Sequence, residues 1–156
     1  MTIAAVLHNI RSVHNVGSIF RTADAAGVAK IVCCGITPTP FDRFGAVRAD
    51  FAKVALGAEN SVAWSHEPET AAAIEVLKRE GWMVVAIEQS DRAVPFQSLR
   101  GAGSEKIALV LGNEVDGLPP DIIGLADVVA DIPMRGMKES LNVAVAFGIV
   151  AFGIQY

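Results

Sequence analysis

Positive charge is scarce in this sequence, and so are cysteine and long apolar runs. The 13 Lys and Arg residues are outnumbered by 17 Asp and Glu, which gives a formal net charge of -4. This balance excludes broad, sequence-blind binding to nucleic-acid phosphates, so any such contact has to come from a local basic patch. The longest nearly uninterrupted apolar run, residues 143–154, is too short to cross a bilayer. Residues 1–6 lack the basic flank and apolar core of a signal peptide, and we therefore expect a cytoplasmic protein.

Cysteine and histidine provide neither a disulfide nor a metal site. The two cysteines, Cys33 and Cys34, are adjacent in an apolar stretch, where neighbours on a strand point to opposite faces and seldom form a disulfide. We expect both to be buried thiols. The three histidines, His8, His14 and His66, have no metal-ligand spacing with the cysteines, so we expect no metal.

The size and apolar content predict one domain that associates with itself. A chain of 156 residues can bury one core and leaves little for a second, so residues 1–156 are expected to form a single domain. The composition is 52% hydrophobic and 19% charged, which is more apolar than an average soluble domain. The excess suggests a surface that is buried against another chain, and a homo-oligomer is the simplest expectation.

Apolar runs of strand length alternate with segments of helical period, which predicts an α/β domain with a mostly parallel sheet flanked by helices. The predicted strands lie near residues 3–7, 30–34, 82–87, 107–111 and 128–132. The predicted helical faces lie within residues 16–23, 47–55 and 70–79, and in a last helix from about residue 140 to the chain end. Residues 36–45 and 91–105 are expected to be loops. The first of these is either a mobile loop that faces a substrate or an ordinary surface connection.

Three clusters of polar residues could carry chemistry, and the first is residues 9–22 (NIRSVHNVGSIFRT). It follows the first strand and enters the first helix, where Asn15 is expected to be the N-cap. Arg21 is an exception among apolar and small neighbours, and a guanidinium fixed on a helix suits a phosphate or a developing oxyanion. A plain helix cap and a solvated surface cation remain alternative interpretations of these two residues.

The second and third clusters each follow an apolar strand. In residues 109–118 (LVLGNEVDGL), a strand that ends at Gly112 lets a ligand approach its backbone, and Glu114 lies at the carboxyl end of a central strand. Pro119 or Pro120 favours the start of a short helix after this turn. In residues 132–143 (IPMRGMKESLNV), Ser140 is expected to cap the last helix, and Asn142 is polar where burial is about to begin.

Together the three clusters resemble the signature motifs of the SpoU/TrmH family of the SPOUT class of RNA methyltransferases. The first motif is matched by residues 15–17 and Arg21, the second by residues 111–118, and the third by residues 132–134 and 140–142. The resemblance extends over essentially the whole chain. It implies a SPOUT fold with a C-terminal trefoil knot and a homodimer formed through the C-terminal helix and knot region, and the short apolar runs described above predict no membrane association.

The resemblance also implies the cofactor S-adenosylmethionine, bound in the knot by backbone groups, and methyl transfer to a ribose 2′-hydroxyl of tRNA or rRNA. The implied cofactor-binding residues are Ile87, Gly112, Ile132, Met134, Ser140 and Leu141. The implied catalytic residues are Asn15, Arg21, Glu114, Ser140 and Asn142. An arginine is very hard to deprotonate, so we favour electrostatic orientation of a phosphate and an alkoxide as the role of Arg21.

The RNA substrate needs positive charge that the chain as a whole does not have. The predicted contacts are Arg11, Arg21, Arg43, Arg48, Lys53 and Arg135. Two other functions remain open at this point, namely an RNA base methyltransferase of the same class and a non-catalytic knotted dimer that binds RNA or a nucleotide.

Overall fold

The computed structural model describes all 156 residues as an alternation of strands and helices. The strands are β1 (Thr2–His8), β2 (Lys30–Cys34), β3 (Ala63–Glu67), β4 (Met83–Ile87), β5 (Val94–Pro95), β6 (Lys106–Gly112) and β7 (Val128–Asp131). The helices are α1 (Val13–Ala25), α2 (Ala49–Ala55), α3 (Ala58–Ser61), α4 (Thr70–Arg79), α5 (Pro120–Leu125) and α6 (Val143–Gly153), with a 3-10 helix over Phe96–Gly101. None of these helices combines the length and the apolar character that a membrane span requires.

The strands form one parallel sheet in the order β3-β2-β1-β6-β4-β7-β5. This confirms the predicted α/β architecture. The central strands β1 and β6 are buried almost throughout, because helices cover both faces of the sheet. Parallel strands also end at one common edge, where His8 pairs with both Cys34 and Gly112.

Two hydrophobic clusters hold the helices to the sheet. On one face, α1, α2, α3 and α6 pack against alternate residues of the central strands, and on the other face α4 and α5 do the same. The Phe20 and Phe51 rings meet edge to face at 5.1 Å between α1 and α2. At this crossing a Cβ on Gly17 would lie 3.1 Å from Val54 Cβ, so the glycine of the first motif serves helix packing.

The two cysteines are buried free thiols, as predicted. Cys33 belongs to the cluster on one face of the sheet and Cys34 to the cluster on the other. Burial raises the pKa of Cys33 to about 12 and that of Cys34 to about 11. Both side chains therefore stay protonated, and poorly nucleophilic, at neutral pH.

The sequence predicted five strands, and the structure has seven. β3 was missed because it lies at the sheet edge and most of its side chains are exposed and polar, so it leaves no apolar run. β5 has two residues and falls in the segment 91–105 that was predicted to be a loop, together with the 3-10 helix. The short helix α5 has Pro119 as its N-cap and Pro120 at its first position, as expected.

Three predictions of helix starts were wrong. Ser12, not Asn15, caps α1, since its Oγ accepts a hydrogen bond from the Asn15 amide at 3.1 Å. Asn142, not Ser140, caps α6, which begins at Val143 rather than near residue 140. The helical face predicted over residues 47–55 begins at Ala49, and Val47 precedes it in an isolated bridge with Phe41.

Candidate functional site

A cleft with a volume of about 510 Å³ opens at the carboxyl edge of the sheet. Its walls come from the ends of β4, β6 and β7, from residues 132–141, and from the first turn of α6. The volume lies within the range of small-molecule sites, and the carboxyl edge of a parallel sheet is where such sites form. All six residues predicted to bind a cofactor line this cleft: Ile87, Gly112, Ile132, Met134, Ser140 and Leu141.

The cleft contains carboxylates and no cation. No lysine, arginine or histidine lines it, whereas five acidic side chains do: Glu88, Glu114, Asp116, Asp131 and Glu139. A cleft lined by one sign of charge concentrates its field on the ligand. This lining favours a cationic ligand and disfavours a phosphate or a nucleotide polyphosphate.

The loop after β6 is held in one shape by close backbone packing. A Cβ on Gly112 would overlap the backbone of Gly117. Gly117 has a φ of +63°, and a Cβ there would lie 2.5 Å from Glu88 Oε2. The same Glu88 oxygen accepts a hydrogen bond from the Leu118 amide at 3.0 Å. Both glycines are therefore required sterically, and Glu88 connects this loop to the end of β4.

Asn113 fixes the same loop from the inside. It is one of three buried polar residues, with 8% of its surface exposed. Its Oδ1 accepts hydrogen bonds from the amides of Val115 at 3.0 Å and Asp116 at 2.8 Å, and its Nδ2 donates to the Asn9 carbonyl at 3.3 Å. This turn of the Asx type holds Glu114 and its neighbours at the mouth of the cleft.

Three of the predicted catalytic residues form one hydrogen-bonded chain. Asn142 Nδ2 donates to Asn15 Oδ1 at 3.0 Å, and Asn15 Nδ2 donates to Glu114 Oε1. Asn142 Oδ1 also accepts from the amides of Ala144 and Val145 at the start of α6. The chain joins the three sequence motifs, which are 99 and 127 residues apart along the sequence.

The other two predicted catalytic residues are located differently. Ser140 is exposed and lines the cleft together with Glu114. Arg21 is exposed on α1 and lies outside the cleft lining of its own chain. It has no hydrogen bond to Asn15 or Glu114, whose amide and carboxylate are engaged with each other and with Asn142.

The residues predicted to contact RNA are exposed, apart from the half-buried Arg48. Arg11, Arg43, Arg48 and Arg135 lie in segments that follow the carboxyl ends of strands, whereas Arg21 and Lys53 lie on helices. Arg11 pairs with Asp116 at 3.4 Å and Arg48 with Asp50 at 3.4 Å. Both pairs are solvated, so their contribution to stability is small and the guanidinium groups can exchange partners.

Sequence reasoning missed two residues that build the cleft. Glu88 follows a strand and resembles an ordinary surface carboxylate in the sequence, so its contact with Gly117 and Leu118 gives no local signal. Asn113 stood inside the second motif without an assigned role. A polar residue between a buried strand and an Asp-Gly turn is a signal for an Asx turn, and it could have indicated this role.

The structure is an all-parallel α/β sheet with a cleft at the ends of β4, β6 and β7. Glycines shape this cleft, and the second and third motifs line it. This is the architecture of the SPOUT class of RNA methyltransferases. Residues 2–152 match the SpoU rRNA Methylase family, and the chain belongs to this family.

Relatives and solved structures agree with this assignment. The chain is 33% identical to the 23S rRNA (guanosine-2′-O-)-methyltransferase RlmB of Escherichia coli strain K12 over 148 residues, which are 94% of this chain and 57% of that protein. It superimposes on the AdoMet-bound rRNA methyltransferase of Sinorhizobium meliloti with a TM-score of 0.83 at 28% identity, over 99% of this chain and 55% of the other. For the A. aeolicus TrmH/SpoU tRNA modifying enzyme the TM-score is 0.81 at 28% identity, over 99% and 73%. The chain spans just over half the length of the curated relatives it matches.

Proposed function

We propose that this chain is an S-adenosylmethionine-dependent RNA methyltransferase that modifies a ribose 2′-hydroxyl of rRNA or tRNA. The cleft is the observation that supports this proposal. It is lined by five carboxylates and by no cation, glycines shape its backbone, and it lies beside the hydrogen-bonded chain of Asn142, Asn15 and Glu114. S-adenosylmethionine has a sulfonium and an ammonium group against one carboxylate, so its net charge is positive and fits this lining. The apolar walls formed by Ile87, Ile132 and Leu141 suit the adenine ring.

The cofactor supplies an electrophilic methyl group, and the chain's residues would orient the acceptor. Glu114 is fixed by Asn15, so its second oxygen is available to accept a hydrogen bond from a ribose hydroxyl. Gly112 and Ser140 offer backbone groups and a hydroxyl on the cleft wall. Such positioning holds the acceptor oxygen in line with the methyl group, which turns an encounter of two reactants into a step within one complex.

We propose that two copies of the chain pair through α6 and that each supplies Arg21 to the site of the other. The outward side of α6 exposes an apolar stripe that continues to the residues after the helix. The stripe is formed by Val145, Ile149, Phe152 and Tyr156, which follow one another at spacings of four, three and four residues. An exposed stripe of this kind marks an interface with another protein. α1 packs beside α6, with Thr22 Cγ2 3.4 Å from the position of a Cβ on Gly148. Arg21, adjacent to Thr22, would thus flank the interface.

The knot belongs to the same proposal. β4 lies between β6 and β7 in the sheet, although it precedes both of them in the chain. After β7 the chain lines the cleft again and then forms α6 beside α1. We propose that this part of the chain forms a trefoil knot, in which the chain after the second motif threads through a loop, as the resemblance to the family implies. We propose that residues 1–156 fold as one domain around it.

The activity is tested with purified protein, methyl-labelled S-adenosylmethionine and total cellular RNA. We expect a ribose-methylated nucleoside in the digested RNA, identified by mass spectrometry. Methylation of a base alone would reject the 2′-hydroxyl as acceptor. Cofactor binding by calorimetry without turnover on any RNA would favour the non-catalytic dimer. Mapping of 2′-O-methyl sites in cells with and without the gene then identifies the nucleotide and decides between rRNA and tRNA.

Replacing Asn142 separates its role as a helix cap from its role in the site. Asn142→Ala is expected to lower the free energy of unfolding by about 1 kcal/mol, because α6 loses its N-cap. Asn142→Ser restores most of this stability, since serine caps nearly as well, but it cannot donate the amide hydrogen bond to Asn15. Both variants are expected to lose about tenfold in methylation rate, the equivalent of one hydrogen bond. Urea unfolding and single-turnover assays measure the two effects, and full activity in Asn142→Ser would reduce Asn142 to a cap.

A further inference from the structure

A second surface lies along the edge strand β3 and the segment that follows the carboxyl end of β2. We call it the aromatic groove and define it by Phe41, Arg43, Arg48, Trp64 and His66, which line it, and by Phe44 beside Arg43. The Phe41 and Trp64 ring centroids are 6.0 Å apart and their planes are inclined at 34°. Phe44 is 79% exposed, and the Arg43 guanidinium carbon lies 4.8 Å from its ring centroid. So much solvent-exposed aromatic surface indicates a binding site.

The segment that presents these residues is held together by its own hydrogen bonds. The Asp42 amide donates to the Ala46 carbonyl at 2.9 Å, and the Arg48 amide donates to the Pro40 carbonyl at 3.0 Å. Asp42 Oδ1 accepts from the amides of Phe44 at 2.8 Å and Ala46 at 3.0 Å. Arg43 and Phe44 therefore stand at the tip of a closed turn, which lowers the entropy lost when a ligand binds there.

The charges of the aromatic groove suit a polyanion that also has flat rings. Its two carboxylates are already engaged, Asp42 with backbone amides and Asp50 with Arg48 at 3.4 Å. Arg43 has no carboxylate partner and stacks on Phe44. An arginine beside stacked aromatic rings is the combination that binds successive bases of a single strand and their phosphates.

A small hollow lies between the aromatic groove and the cleft. Between them lies a hollow of about 200 Å³, whose lining includes His8, Asn9, Arg11 and Ile36. The hollow shares Asn113, Asp116 and Gly117 with the cleft, and Ile36 adjoins Thr37 of the groove wall. The end of β2 lies two strand spacings from the end of β6, which is about 10 Å.

We propose that the aromatic groove binds unpaired bases of the RNA substrate by stacking and leads the strand along the carboxyl edge to the cleft. This inference rests on the proposed function, since it names the form of RNA that the site accepts. A duplex keeps its bases paired and stacked on one another, so it cannot offer them to Phe44 and Trp64. The acceptor nucleotide then lies in a loop, bulge or single strand.

The test uses fluorescein-labelled oligouridine and a duplex of the same length, with affinity measured by fluorescence anisotropy in the absence of cofactor. Phe44→Leu, which keeps an apolar side chain, is expected to weaken oligouridine binding about 10-fold, and Phe44→Trp is expected to restore it. Arg43→Gln should reduce the slope of log K against log salt by about 0.7, the share of one phosphate contact on a single strand. Val76→Ala and Arg79→Gln, which alter an exposed apolar residue and a charge on α4, away from the groove, the hollow and the cleft, serve as controls.

Equal affinity of Phe44→Leu and the unaltered protein for oligouridine, or equal competition by duplex and single strand, would overturn the inference. So would loss of binding in Phe44→Leu that Phe44→Trp fails to restore, because tryptophan supplies the flat ring that stacking on a base requires. The binding assay needs no methyl transfer. A preparation that binds single strands through Phe44 but methylates no RNA would therefore contradict the proposed function. It would not contradict the inference that the aromatic groove binds unpaired bases.

Discussion

Replacing Arg21 by alanine is expected to lower the single-turnover methylation rate by about 100- to 1000-fold, the usual cost of removing one group that stabilises developing charge. Arg21 is exposed on α1 and contributes nothing to the lining of its own chain's cleft. Cofactor affinity and the free energy of unfolding should therefore stay unchanged. Arg21→Lys is expected to recover only part of the rate, because it keeps the charge and loses the paired donors.

Calorimetry with S-adenosylmethionine and urea unfolding establish that the Arg21→Ala protein is intact. Arg79→Gln provides the matched control, since it removes a charge from the opposite end of the sheet. A rate within about threefold of the unaltered enzyme would exclude Arg21 from the reaction and would leave the proposed site without a cation.

Mixed dimers identify the chain to which Arg21 contributes. Ser140→Trp is expected to block the cleft of its own chain, because Ser140 is exposed on the cleft wall. Each variant alone is expected to have at most about 1% of the activity, given the loss expected for Arg21→Ala. In an equal mixture, half of the dimers are mixed and each holds one complete site, so about a quarter of the activity returns if Arg21 acts across the interface. An inactive mixture, with dimer exchange verified by mass spectrometry, would contradict a shared site.

Gly112→Ala is the second substitution with a large expected effect. The new methyl group would overlap the Gly117 backbone, and the loop that carries Asn113 and Glu114 would have to move. Overpacking of this kind costs about 1–3 kcal/mol of stability. We expect cofactor affinity to fall by about 100-fold, because the wall of the cleft is displaced by more than the tolerance of a built site.

Gly124→Ala is the control for this substitution. Gly124 is exposed in α5, and a Cβ there meets no atom within 4 Å, so alanine is expected to raise stability by up to about 1 kcal/mol through its helix propensity. Thermal unfolding and calorimetry measure both proteins. Undiminished affinity in Gly112→Ala would mean that the second motif does not form the cofactor wall.

The core strands and the cleft wall could be predicted because their signals are local. Apolar runs at residues 3–7 and 107–111 place β1 and β6, and the carboxyl edge of a parallel sheet then brings Gly112, Ile132 and Ser140 together. The resemblance to the family's motifs added the roles of individual residues, which spacing alone does not provide.

What the sequence could not provide depends on contacts between distant segments. The caps of α1 and α6 were assigned to Asn15 and Ser140, because a capping residue cannot be distinguished from polar residues two or three positions away without the backbone path. The hydrogen bonds of Asn15 to Glu114 and Asn142 follow from the same path. The aromatic groove needs β3, an exposed edge strand without an apolar run, to bring Trp64 beside Phe41.

The five carboxylates of the cleft have a consequence for turnover. Their attraction acts on a ligand that is positively charged before the reaction and, having given up its sulfonium charge with the methyl group, neutral afterwards. The part of the binding energy that comes from the sulfonium charge is therefore lost at the moment of transfer. We expect this asymmetry to weaken inhibition by the spent donor.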